Sequence, residues 1–130
     1  MMSNGLLLGN VNLVLLGVVL SFVIYKYFFR KYLAVKKKET YNKVFRGLKT
    51  IHPLAASAML VIGLVHGYLM TGGQWLHTGS LIIVALLVML GTFAAGKQPA
   101  YKQKWKSWHK LGAVFVMAAV LIHLNFPNII

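Results

Sequence analysis

Four stretches of this chain are almost free of charged residues and strongly apolar, roughly Leu6–Phe29, Thr50–Met70, Leu76–Ala95 and Trp108–Phe126. Each is about the 20 residues that an α-helix needs to cross a hydrocarbon core about 30 Å thick. The pattern predicts an all-α fold: a four-helix transmembrane bundle, a single domain over residues 1–130. The first stretch lacks a cationic start, exceeds a usual signal core and runs into Lys26, Arg30 and Lys31, so it reads as a retained anchor. It carries Gly5, Gly9, Gly17 and Ser21 but no ionisable residue before Lys26, which suits packing scaffold.

The polar intervals predict the connections. Tyr32–Lys49 mixes Lys36, Lys37, Lys38 and Glu39 with Val44, Phe45 and Leu48, the composition of a connector lying on the membrane surface, with Gly47 as its break. Thr50 is then expected to cap the second helix, placing Pro53 in the first turn, where its missing N–H is harmless. The third helix starts near Leu76 and His77 and carries Gly79, Ser80, Gly91, Ala94 and Ala95, small residues that admit a neighbour or a flat cofactor. Lys102, Lys104, Trp105, Lys106 and Trp108 form a cationic–aromatic belt before the fourth, which ends at Phe126-Pro127.

Composition agrees with a membrane setting: hydrophobic residues make up 58% of the 130 and charged ones 12%, with a mean hydropathy of +0.70. All fourteen Lys and Arg fall between Lys26 and Lys49 or between Lys97 and Lys110. The positive-inside rule therefore puts both basic connections in the cytoplasm and both termini on the extracytoplasmic side of a plasma (inner) membrane. A net charge of +13 so disposed faces anionic lipid head groups rather than nucleic acid, and offers a docking face to an acidic redox partner. There is no cysteine, which removes disulfides, thiolate-held iron–sulfur clusters and covalently attached c-type haem.

Histidine is the remaining strong ligand for a soft metal. His52 and His66 are fourteen residues apart in one apolar stretch, and His109 and His123 fourteen apart in another. That interval advances a helix by about 21 Å and leaves both rings within about 40° of one face. The second and fourth helices cross in the same direction, so His52 matches His109 near the inner surface and His66 matches His123 toward the outer. Intramembrane ionisable residues are costly and usually serve a function. Carbonyl-bonded packing histidines have no need of equal intervals on two helices. Zinc needs three or four protein ligands, whereas each level supplies two. A haem iron takes two axial imidazoles, and its macrocycle fills apolar space between helices, so two non-covalent b haems account for ligand number and spacing together. With Glu39 the only acidic side chain, no carboxylate relay for ions or protons crosses the membrane.

On His52, His66, His109 and His123, with Trp105-Lys106-Ser107-Trp108-His109-Lys110-Leu111-Gly112 leading into the last ligand helix, the chain resembles the diheme core of membrane cytochromes b. It is also similar to ferric-reductase-like transmembrane domains. The likeness runs from Arg46 to the C-terminus and implies two bis-histidine haems. Larger cytochromes b add helices and a quinol site, and ferric reductases a flavin and nicotinamide domain, so donor and acceptor come from elsewhere. The glycines that such families place on the non-ligand helices are loosely matched by Gly9, Gly17, Gly79 and Gly91.

Candidate donors to the haem propionates are Arg46, Lys49 and Lys110 on the inner side, and Gln74, Trp75, His77 and Asn125 on the outer. His77 is also open to a solvated role or to proton exchange with a quinol. Tyr68 and Tyr101 read as interface anchors, and Met59, Met70, Met89 and Met117 as filler. Three functions compete: transmembrane electron transfer to a redox partner protein or quinol, a minimal quinol- or metal-reductase subunit, and a non-redox scaffold or assembly subunit. Either of the first two is compatible with homo- or hetero-oligomers.

Overall fold

The computed structural model describes residues 2–32 and 37–127, and among these four helices are long and apolar enough to span a membrane. Helix α1 covers Met2–Ile24, passes through a π-helical turn at Tyr25–Phe29 and runs on to Tyr32. Helix α2 covers Lys38–Thr71, α3 Thr78–Ala95 and α4 Trp105–Asn125. No strand occurs among the described residues. The expected connector loses residues 33–36, including Lys36, from the described set.

The chief departure from the sequence pattern lies in α2. Lys38–Lys49, expected as a surface connector, is its N-terminal third, and neither Gly47 nor Pro53 ends the helix. Thr50 does not cap it; its hydroxyl donates to the Arg46 carbonyl, 3.1 Å away, inside the helix. Pro53 deprives the Lys49 carbonyl of a helical partner, a defect of about 3 kcal/mol in an interior position. An aromatic stack opposes that cost: Tyr41 lies 5.3 Å from Tyr25, and Phe45 5.4 Å from Phe22. Tyr41 and Phe45, one turn apart and 5.9 Å between centroids, present one face to α1, so extending the helix gains packing that a loose connector would forgo. Both helices thereby overshoot a 30 Å core, α2 being about 51 Å long.

The other boundaries are sharper. Gly72 closes α2 in the left-handed region at φ 62°, a conformation that favours glycine. His77 caps α3, its Nδ1 accepting the Gly79 N–H at 3.1 Å. After α3, a 3-10 turn at Pro99–Tyr101 leads to α4, which starts three residues before the apolar run suggests because Trp105 closes on the backbone of Gly96.

Helix α1 packs along α2 and α3 along α4, with lighter contact between α2 and α3. Among the described residues α2 and α4 share no extended backbone contact. Between them, at mid-height, sits a small core of Met59, Ala85, Leu86, Val116 and Val120, supported by Leu15, Leu16, Leu60, Ile82 and Met89. Outward-facing apolar side chains are numerous, Val14, Leu54 and Leu111 among them each about two-thirds exposed (69%, 66% and 69%). A surface of that kind suits lipid rather than water.

Candidate functional site

Each of the four helices contributes to the site at a fourteen-residue interval. The rings of His52 and His109 stand 6.1 Å apart between centroids, and those of His66 and His123 6.4 Å apart. The equal spacings on α2 and α4 therefore bring the imidazoles together in two pairs at two heights.

What holds the rings was not visible from the histidines alone. On α1, the Val19 carbonyl lies 3.1 Å from His52 Nδ1 and the Gly5 carbonyl 2.7 Å from His66 Nδ1. On α3, the Thr92 hydroxyl is 3.5 Å from His109 Nδ1 and the Thr78 hydroxyl 2.8 Å from His123 Nδ1. Positions 5 and 19 are separated by fourteen residues, as are 78 and 92, because each supporting helix runs antiparallel to its histidine-bearing helix in fixed register. A carbonyl can only accept, so His52 and His66 carry their proton on Nδ1. Thr92 and Thr78 spend their own protons on the carbonyls of Met89 (2.8 Å) and Pro127 (3.0 Å), which leaves oxygen lone pairs for the rings. Among the described residues no hydrogen bond uses Nε2 of any of the four. In the neutral ring that leaves the Nε2 lone pair of each free to take a ligand.

The pairs open into two cavities stacked through the bundle. The inner one, about 70 Å³, includes His52, His109, Pro53, Phe93, Met89 and Met117 in its walls. The outer one, about 370 Å³, includes His66, His123, Gly9, Asn10, Asn12 and Met70. Leu16, Met59 and Leu86 line both and separate them. A Cβ on Gly9 would lie 3.0 Å from the His66 ring, so the missing side chain lets α1 approach the imidazole. Of the other glycines singled out, Gly79 lies beside the rings of His77 and His123, while Gly17 and Gly91 face open space. Asn12 ties α1 to α2 near mid-height: with its amide oriented to satisfy both groups, it donates to the Met59 carbonyl (3.3 Å) and accepts from the Gly63 N–H (3.1 Å).

Of the polar residues expected around the pairs none is in the walls of the two cavities, while His77 stands near His66 and His123. Arg46, Lys49 and Lys110 are exposed and do not line the inner cavity; Arg46 Nε is 3.4 Å from the Asn42 carbonyl of its own helix. Gln74, Trp75 and His77 line a third space, a lateral cleft of about 220 Å³ between α2 and α3 that also holds Tyr68. Gly63, Gly79 and Ile83 are common to this cleft and the outer cavity. Asn125 is exposed, its amide donating to Leu121 on its own helix at 2.8 Å. Tyr101 is exposed, Met59 is buried in the core, and Met70, Met89 and Met117 line the cavities. Among the described residues no three His, Cys, Asp or Glu side chains converge, so a tetrahedral metal centre has no ligand set here.

No protein-family model, curated protein or solved structure matches the chain.

Proposed function

We propose that the chain is a transmembrane electron-transfer cytochrome that holds two b-type haems, one between His52 and His109 and one between His66 and His123. The observation that carries this reading is the pairing of four imidazoles with every Nδ1 engaged and every Nε2 free. A haem iron held by both imidazoles of a pair would need the two rings close enough for one nitrogen of each to reach it. The observed separations of 6.1 and 6.4 Å fit that requirement. Metal-ligating histidines commonly donate their other N–H to a carbonyl or similar acceptor, and each of the four rings has a carbonyl or hydroxyl oxygen within 3.5 Å of Nδ1.

Bound there, haem would supply a one-electron iron couple at each level. The chain's own residues would bind and orient it: the four histidines would hold the two haems, Gly5, Val19, Thr78 and Thr92 would fix the ring tautomers, and Leu16, Met59 and Leu86 would keep the interval between levels dry. Lys49 and Lys110, three residues and one residue from inner ligands, bring positive charge to that end. The one-sided placement of Lys and Arg supports an orientation with the inner pair toward the cytoplasm of a plasma membrane and both termini outside. The basic end then suits an acidic redox protein and anionic lipid.

The pyridine haemochrome of purified, haem-supplied protein should give two haems per chain. His66→Ala or His123→Ala should remove the outer haem, and His52→Ala or His109→Ala the inner one. A well-folded but colourless wild type overturns the reading and leaves the non-redox scaffold.

One observation favours a second reading, a quinol reductase: the lateral cleft reaches the outer cavity through a wall of two glycines and Ile83, with His77 and Tyr68 at its polar end. Quinol would leave as quinone, giving two protons to the outer surface and two electrons, one at a time, to the conduit. Quinol-dependent reduction of the purified protein separates this reading from a conduit served by a partner protein.

A further inference from the structure

We propose that α3 is a tuning helix: Thr78 and Thr92 are positioning residues that set the donor strength of His123 and His109, with Thr78 acting more strongly and lowering the reduction potential of the outer site. The inference rests on the haem reading and deepens it. Thr78 is the most enclosed polar residue described, at 0% exposure. Its single proton is committed to the Pro127 carbonyl at 3.0 Å, so toward His123 it is an acceptor held in place from behind. Thr92 is committed in the same way to Met89, yet its oxygen stands 3.5 Å from His109, the far limit of a hydrogen bond, against 2.8 Å at Thr78.

The α1 partners follow the same order, 2.7 Å at Gly5 and His66 against 3.1 Å at Val19 and His52. Both outer rings are thus gripped more closely than both inner ones. A short bond at Nδ1–H shifts electron density toward Nε2 and makes the imidazole a stronger donor, which favours the more positive state of the metal it holds. At the inner level the longer bonds and the neighbouring Lys49 and Lys110 favour the reduced state. One electron then passes spontaneously from the outer level to the inner, the outer centre being oxidised and the inner reduced, with no bond made or broken. The lean of the device is inward.

The test is a redox titration of the haem-loaded protein, each midpoint assigned with the single-histidine variants. The wild type should show the outer midpoint below the inner. Thr78→Val keeps the side-chain shape without the hydroxyl and should raise the outer midpoint by about tenfold in the reduction equilibrium, about 59 mV for one electron. The inner midpoint should stay in place, and Thr78→Ser should restore the outer one. Thr92→Val should move the inner midpoint by less, and this arm decides the matter if Thr78→Val does not fold. A purely structural threonine would lower the melting temperature without moving a potential. An outer midpoint above the inner, or threonine variants that leave both midpoints unmoved, overturns the tuning role. A wild type that takes up no haem overturns the underlying reading instead.

Discussion

His77 lies one residue outside α3 and does work that a solvated interface residue would not. Burial holds its imidazole below the ordinary histidine value, and the nearby His66 adds to the shift. The same neutral state is demanded by the cap, since an Nδ1 that accepts from Gly79 cannot carry a proton. A group with a depressed folded pKa contributes stability above its unfolded pKa, about 6.5, and loses it as pH falls through the folded value. Melting temperature in detergent should therefore decline in acid below about pH 6.5, and His77→Asn, which keeps a capping acceptor without titrating there, should flatten part of that decline. An unchanged slope in the variant would assign the acid loss to other groups.

The same scale shows what could be read from the residues. The four paired histidines announced themselves by interval, because a helix repeats its faces and equal steps on parallel helices keep equal heights. Thr78 and Thr92 have the same interval, yet two threonines on an apolar helix gain meaning only once the antiparallel register of α3 and α4 is known. The carbonyls of Gly5 and Val19 leave no mark in a sequence, since every residue has one.

Among the elements, α2 is where local rules and packing part company. Proline and glycine argue for a break between residues 47 and 53, while the aromatic stack of Tyr41 and Phe45 on α1 carries the helix through. Gly47 faces open space, with no heavy atom outside its own helix turn within 4 Å of a built Cβ. Gly47→Ala should thus stabilise α2 by about 0.5–1 kcal/mol by removing backbone freedom without a clash. Urea or thermal unfolding in detergent measures this; destabilisation would mean that the segment needs glycine after all. The four spans themselves were legible because lipid imposes length and apolarity on each of them, whereas their ends are set by particular contacts such as Trp105 on Gly96.

At the scale of the whole molecule, the absence of cysteine from the sequence makes orientation directly testable. Gln74→Cys should react with a membrane-impermeant maleimide added outside intact cells. Lys43→Cys and Lys102→Cys should react only after the membrane is opened. The reverse pattern would invert the assignment of sides and with it the direction inferred for the electron.

Leu16, Met59 and Leu86 form a thin dry layer between two cavities, and that layer has an electrical meaning. Field across a membrane concentrates where the medium is least polarisable, so with haem in both cavities, as proposed, a share of the transmembrane voltage would fall across this layer. A charge passed between the two levels would then exchange that share of the full value, about 2.3 kcal/mol for each 100 mV. Membrane energisation would act on the chain there, opposing or assisting transfer according to polarity, with no moving part required.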